Sequence, residues 1–397
     1  TSQKFIFKIP IIIMIINILL SIIILFTIFY LYYKYKYQFW SRQPVFHFHN
    51  LYYWLFPPGI IQQNNPQIDK YYNAKIQFGT FRDLKTEKKA LFTHFVRSNY
   101  LQEREQKYNP TTDSIIPYFM AHNEKSYISL YMQKIYDSNR VIGCMTTRPL
   151  FCKINDQKID IYYVDYLCVH KQKRKQGIAQ QVIYSHYVNH RKQHRNCVFL
   201  FKREGETTSI VPLTIYKTYC FDMKYWKKDI KFNEPNIETV LINDSNLKTI
   251  LSIFNKIDDE FECVIKPNIA NIKQLCLKKN IYISAVFLDK TPVCLYFFRN
   301  TYTTYKGKNC LELTASFLNK SVNTNEKLFT LGALISIDKL RFISPHRFLF
   351  IENISNNNFI IKNILEKYAP LTKYSNSYYF YNFAYRPFYS TNVFIVN

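Results

Sequence analysis

Residues 9–33 carry no charged side chain, and almost every position is Ile, Leu, Phe or Tyr. Wound as an α-helix, this stretch is roughly 37 Å long, more than the hydrocarbon core of a bilayer. The pattern predicts a transmembrane helix. Pro10 falls in its first turn, where a missing N–H is tolerated, and Tyr30, Tyr32 and Tyr33 stand at the far end, where aromatic belts meet head groups. The run outlasts the ~7–15 residues of a signal-peptide core, and no A-x-A site follows it. Lys4 and Lys8 precede the helix while Lys34, Lys36 and Arg42 follow, a small excess that places the rest of the chain in the cytoplasm.

After the helix the pattern changes twice. Residues 34–72 are aromatic and turn-rich with no sustained period, as expected of an arm laid over a domain. From residue 73 the periods of strand and helix alternate. Runs at 141–147 and 160–169 read as strands, residues 178–187 as a helix with Ile178, Ala179, Val182, Ile183 and Tyr187 on one face, and 197–201 as another strand. The second half repeats this order: a hairpin over 281–288 and 293–298, a strand at 311–318, a helix at 326–340 and a strand at 348–351. The fold class expected is α/β (α+β), two lobes of similar plan behind an N-terminal transmembrane helix. The division expected is helix 9–33, arm 34–72, first lobe 73–228 and second lobe 229–397.

Composition narrows the function classes. A chain of 397 residues with 48% hydrophobic positions is neither disordered nor low-complexity. Nine scattered cysteines without a C-x-x-C pair argue against a disulfide framework or zinc ribbon and for a reducing compartment. The net charge of +25 is spread along a chain rich in Lys, Asn, Ile and Tyr, a bias that an AT-rich genome produces by itself. The scarcity of glycine, 7 in all, gives each one more weight.

One of the seven opens the most informative stretch. Between the strand ending at Val169 and the helix beginning at Ile178, Arg174-Lys175-Gln176-Gly177-Ile178-Ala179 has the form R-x-x-G-x-A. A pyrophosphate needs this arrangement: open backbone N–H groups at a helix N-terminus, a residue without a side chain for close approach, and cationic side chains. A solvated basic loop capping a helix is the competing reading of the same residues.

The motif resembles the acyl-CoA-binding element of the GNAT superfamily, and three further segments narrow the resemblance to the N-myristoyltransferase family. Tyr37-Gln38-Phe39-Trp40, continuing Ser41-Arg42-Gln43-Pro44-Val45, is similar to its YQFW-x-x-QPV signature. Tyr166-Leu167-Cys168-Val169-His170-Lys171 is similar to its FLCVHK strand end, and Tyr378-Tyr379-Phe380-Tyr381-Asn382-Phe383 to its YYLYNW near the C-terminus. The resemblance runs in order from about 37 to 397. It implies two pseudo-symmetric GNAT-like lobes and transfer of a fatty acyl group, myristoyl, from acyl-CoA as co-substrate to the N-terminal glycine amine of a protein, with no permanently bound cofactor and no metal. The implied acyl-CoA contacts are Gln38, Phe39, Trp40, Tyr166, Leu167, Cys168, Val169, Arg174, Lys175, Gly177, Ile178 and Ala179. The backbone N–H groups of Tyr166 and Leu167 would form the oxyanion hole, each contributing about 3 kcal/mol. The C-terminal carboxylate, on Asn397 if the native chain ends there, would be the base. Its ~3.5 against an amine near ~8 makes direct proton transfer cost roughly 6 kcal/mol in water, a gap that burial narrows.

The acceptor side departs from the family. Phe199-Leu200-Phe201 stands at the equivalent of its Thr-Ala-Gly element, followed by a charged loop, 202–206, and the acidic cluster that receives basic peptides is thinned to Gln102-Glu103-Arg104-Glu105. A GNAT-type enzyme with another donor or acceptor is therefore the alternative. The third reading is a catalytically silent, membrane-associated structural protein, in a virion if the compositional bias is viral. His186, His190 and His194 are spaced i, i+4, i+8 but lack a ligand glutamate, and are expected on a solvated basic helix end rather than around a metal. The basic runs 171–175 and 190–195 flank that helix and match no nucleic-acid module, so they fit phosphate or an anionic membrane better.

Overall fold

The computed structural model describes residues 8–56, 59–135, 138–205, 208–320 and 325–397. Lys4 and Glu206 lie outside the described residues. The chain divides into two compact units, Thr1–Val45 and Phe46–Asn397.

The first unit is dominated by helix α1, Lys8–Lys36. Over Ile13–Lys36 it is long and apolar enough to cross a membrane, and its Ile, Leu and Phe side chains are exposed. Its polar side chains turn inward on the backbone: the Ser21 hydroxyl donates to the Asn17 carbonyl and that of Thr27 to the Ile23 carbonyl, both at 2.8 Å. The hydroxyls of Ser21 and Thr27 therefore need no water. The helix ends in a single 3-10 turn, Trp40–Arg42.

The second unit is built on one large mixed sheet. Its principal strands are β1 (Ile76–Thr80), β2 (Gln106–Tyr108), β3 (Tyr127–Ile135), β4 (Ser138–Ile154), β5 (Gln157–Val164), β6 (Cys168–Val169), β7 (Val198–Glu204), β8 (Thr214–Asp222), β9 (Ile237–Ile242), β10 (Cys263–Lys266), β11 (Ile281–Leu288), β12 (Thr291–Tyr305), β13 (Lys308–Leu318), β14 (His346–Glu352), β15 (Thr372–Tyr381) and β16 (Val393–Ile395). The helices that follow α1 are α2 (Thr86–Asn99), α3 (Ile178–Gln193), α4 (Leu251–Glu260), α5 (Ile269–Leu277), α6 (Glu326–Ile343) and α7 (Asn357–Leu365).

Each half follows the same plan. In the first, β3, β4 and β5 form an antiparallel meander, and α3 carries the chain over to β7, parallel to β5 with Ile161 opposite Val198. In the second, β11, β12 and β13 form the meander, and α6 leads to β14, parallel to β13 with Leu311 opposite Leu349. A parallel neighbour needs such a crossover, which explains why a long amphipathic helix stands at the same place in both halves. The halves then exchange strands: β8 pairs with β14, and β15 inserts between β8 and β7. The result is one continuous sheet in which Tyr379 of β15 lies opposite Phe201 of β7. Lys202, Arg203 and Glu204, expected in a loop, continue β7 because β15 pairs with them. The run expected as one strand over 160–169 is broken between Val164 and Cys168.

α6 packs on β11 and β12 through Gly332. A β-carbon there would stand 2.4 Å from Val286 Cγ2 and 2.7 Å from the Tyr296 hydroxyl, which donates to the Phe329 carbonyl at 2.6 Å. Gly332→Ala is expected to destabilise the protein by about 1–3 kcal/mol through overpacking, despite the higher helix propensity of alanine. An unchanged denaturation midpoint would show that the helix can shift freely.

Candidate functional site

The site begins where β5 stops. Asp165 donates its N–H to the Thr146 carbonyl at 3.2 Å and Tyr166 donates its own to the Thr146 hydroxyl at 3.1 Å. The ladder resumes only at Cys168, opposite Cys144. Among the described residues the Leu167 N–H has no acceptor. Of the two donors expected in the oxyanion hole, one is therefore open and the other rests on a threonine side chain. The Tyr166 ring is held in an aromatic nest, edge-on to Phe92 and Tyr100, with its hydroxyl 2.7 Å from that of Tyr108. The hydroxyl that distinguishes it from phenylalanine thus has a partner, and burial pushes its pKa far up.

Past the break the chain turns toward α3. The His170 N–H reaches the Ile142 carbonyl at 2.9 Å, a 3-10 turn spans Lys171–Lys173, and Arg174 is pinned by a 2.8 Å bond from its Nη2 to the Asn99 carbonyl. Lys175 and Gly177 both have positive φ, 64° and 75°. Gly177 occupies the N-cap of α3, and no side chain caps the first turn. The open N–H groups of that turn, the exposed Arg174 and Lys175 and the bare Gly177 lie together as the motif requires. Close seating of α3 comes from Gly143 on β4, where a β-carbon would meet Ile178 at 3.0 Å and Val182 at 3.1 Å. Leu167 and Val169 pack with Ile178 in the same apolar cluster, Cys168 is buried on the other side of the break, and Ala179 is half-buried in the first turn. Gln38, Phe39 and Trp40 belong to the first unit, at the turn after α1, where the Phe39 and Trp40 rings meet edge to face at 5.1 Å.

A cleft of about 260 Å³ opens beside the break. Tyr166, Asp165 and Tyr163 line one wall, Arg299 to Thr303 of β12 another, and Lys202 and Glu312 its floor. The floor is a charge quartet from four strands. Arg299 binds Glu312 through Nε at 2.8 Å and through Nη2. Lys202 pairs with Glu352 and stands 3.8 Å from Glu312, and the Tyr216 hydroxyl donates to Glu352 at 3.0 Å. Burial penalises the Glu312 carboxylate, yet Arg299 and Lys202 outweigh it and hold its pKa low; at Glu352 burial prevails and the pKa rises. Burial disfavours the Lys202 ammonium, but Glu352 and Glu312 keep it firmly protonated. Asn397 is buried against this group, its amide donating to the Tyr378 hydroxyl at 3.1 Å and accepting from Arg299 at 3.5 Å.

A second buried charge lies directly under the break. Arg148 has no exposed surface, sits between the Tyr118 and Tyr163 rings at 5.2 and 5.3 Å, and binds Asp165 Oδ2 through Nε at 2.9 Å. Both of its Nη atoms are buried without a hydrogen-bond partner. Burial pushes the Asp165 carboxyl above its usual range, against the pull of Arg148. Sequence reasoning passed over Arg148, Asp165, Lys202, Arg299, Glu312 and Glu352. A signal was available, since a charge inside a strongly apolar strand needs a partner.

Two of the three histidines correct an expectation. His186 and His190 of α3 are fully buried, whereas His194 caps the end of the helix and is half-buried. The two ring nitrogens of His186 lie 2.9 Å from the hydroxyls of Ser129 and Thr147, and His190 is enclosed edge-on by Tyr127, Tyr162 and Phe199. Among the described residues no group of His, Cys, Asp or Glu could hold a metal ion. All nine cysteines are free thiols.

Residues 66–198 match the family model described as Myristoyl-CoA:protein N-myristoyltransferase, N-terminal domain. Those residues therefore carry the N-terminal domain of the N-myristoyltransferase family. The structure of the chain agrees over nearly the whole length. A crystal structure of Saccharomyces cerevisiae N-myristoyltransferase with bound myristoyl-CoA superposes with a TM-score of 0.71 and 12% identity, covering 91% of this chain and 99% of that one. A second structure of the yeast enzyme with myristoyl-CoA gives 0.70 and 12%, covering 89% and 90%. A tandem GNAT protein from the clavulanic acid biosynthesis pathway gives 0.50 and 11%, covering 77% and 98%. No curated protein sequence matches the chain. The two lobes expected from the strand order are thus those of a myristoyltransferase fold, reached with little retained sequence.

Two predictions follow from the buried charges. Asp165→Asn leaves the Arg148 guanidinium buried and unpaired and should cost about 3–5 kcal/mol, Arg148→Met should cost a similar amount, and the double variant should recover most of the loss. Additive losses in chemical denaturation would contradict the pairing. Burial lowers the His186 pKa to about 3 and holds that of His190 well below the ordinary imidazole range, so both are neutral when folded and take up protons on unfolding below about 6.5. Their contribution is therefore intact above that pH and lost as pH falls, by roughly 2 kcal/mol per imidazole between pH 7 and 5. Melting temperature followed over that range should fall for the native chain and fall less for His186→Asn; parallel curves would remove the histidine from the account.

Proposed function

We propose that the chain is an N-acyltransferase that moves a fatty acyl group, myristoyl, from acyl-CoA to the N-terminal glycine amine of a protein at a membrane surface. One observation carries the reading: the strand break that frees the Leu167 N–H lies directly before the uncapped, glycine-headed start of α3. The first turn of α3 with Lys175 and Arg174 holds the CoA phosphates. The thioester oxygen takes the Leu167 N–H, and as the amine attacks, the negative charge growing on that oxygen is stabilised there. Tyr166 adds a second N–H when the Thr146 hydroxyl releases it. The amine arrives through the cleft and attacks directly: the C–N bond forms, the C–S bond breaks, CoA leaves as its thiolate, and the amine proton passes to a carboxylate and on to that thiolate; the carboxylate is that of Asn397 for a chain ending there, a residue whose side-chain amide meets Arg299 and Tyr378. α1 anchors the enzyme with its bulk on the cytoplasmic side, Lys34, Lys36 and Arg42 facing anionic head groups.

A second reading, transfer to another kind of acceptor, is favoured by the floor of the cleft. Lys202 and Arg299 already satisfy Glu352 and Glu312, so an incoming ammonium finds both floor carboxylates paired.

Full-length protein in detergent, given labelled myristoyl-CoA and glycine-first peptides, should acylate the peptide. Adding one residue after Asn397 should abolish transfer and leave acyl-CoA binding unchanged. Saturable acyl-CoA binding with transfer only to other amines would select the second reading, and no binding would remove both.

A further inference from the structure

A second apolar surface lies near α1 in the chain. The short helix Leu51–Leu55 and its flanks expose Phe48, Leu51, Tyr52, Leu55 and Phe56 to between 48% and 78% of their surface. These residues are not a loose tail. On the opposite face Tyr53 and Trp54 pack on the buried Phe46 with ring centroids 5.6 and 5.0 Å away, the Trp54 indole N–H donates to the Phe48 carbonyl at 3.1 Å, and the Phe48 N–H reaches Ser209 at 3.1 Å. A folded support therefore presents an apolar face outward. That face also lies in a stretch, residues 43–68, without one Lys, Arg, Asp or Glu, in a chain where 20% of residues are charged.

We propose that this face is a second membrane contact, lying in the head-group and acyl boundary of the bilayer that α1 crosses; it rests on the reading of α1 as an anchor. The chain itself names the occupant. Only residues 37–47 separate the end of α1 from Phe48, and they span at most about 40 Å even when fully extended. Once α1 is inserted, the face cannot leave the neighbourhood of the bilayer. Its chemistry suits that boundary: tyrosine, phenylalanine and leucine without charge, preceded by Lys34, Lys36 and Arg42 for anionic head groups.

The test uses the full-length chain in phosphatidylcholine/phosphatidylserine vesicles, with brominated phosphatidylcholine as quencher. The wild-type tryptophan emission should be quenched, and Trp54→Phe should remove a large share of the quenched component, leaving that of Trp40. The variant L51S/L55S, altered only on the exposed face, should halve Trp54 quenching or better while flotation with vesicles after carbonate stays complete. Carbonate-resistant flotation with equal quenching in wild type and L51S/L55S overturns the contact and leaves the anchor standing. Loss of flotation by the wild type overturns both. A concentration-dependent dimer in detergent that L51S/L55S abolishes, without lipid quenching of Trp54, assigns the face to a second copy instead.

Discussion

A strand held by its neighbours has no N–H groups to spare, and the oxyanion hole we propose needs at least one. The ladder opens at residues 165–167, between the end of β5 and the start of β6. Everything around it serves to keep that gap open. Thr146 takes up two of the freed amides, Gly143 lets α3 press close behind, and the aromatic nest of Tyr166 fills the space on the other side. Without the gap, the uncapped start of α3 would face an ordinary closed strand.

The Arg148–Asp165 pair belongs to the same constraint. A guanidinium with no exposed surface is costly unless it is paired, and its partner is the first residue of the gap. Pulling back into the ladder would take Asp165 away from Arg148, so the pair opposes closure of the break. The cost of burying charge is here set against conformational specificity. The quartet on the cleft floor does similar work between halves, since Lys202 comes from β7 and its partners Glu312 and Glu352 from β13 and β14. The strand exchange that inserts β15 between β7 and β8 brings those residues into range.

Much of this was legible in the chain. Hydropathy alone marked α1, and alternating periods placed both crossover helices and their parallel strands. The strand, R-x-x-G-x-A, helix order located the glycine-headed helix start because its residues are neighbours in sequence: a helix start and its glycine are decided by local geometry, φ of 75° at Gly177 included. The order of three short motifs pointed to the family even at 12% identity with the yeast enzyme.

Tertiary structure decided the rest, for one physical reason. Periodicity records which face of an element is buried but not what lies opposite, and it counts histidine, tyrosine and arginine as polar wherever they stand. Hence the buried face of α3 was extended by His186 and His190, which only Ser129, Thr147 and the surrounding rings make tolerable. The partners of Lys202 and Arg299 could not be read either. Lys202 and Glu352 are 150 residues apart, and only the pairing of β7, β15, β8 and β14 brings them together. The chain by itself settled where the crossover helices start and where the long apolar helix lies, while the folded sheet settled where the strand breaks and which buried charges neutralise one another.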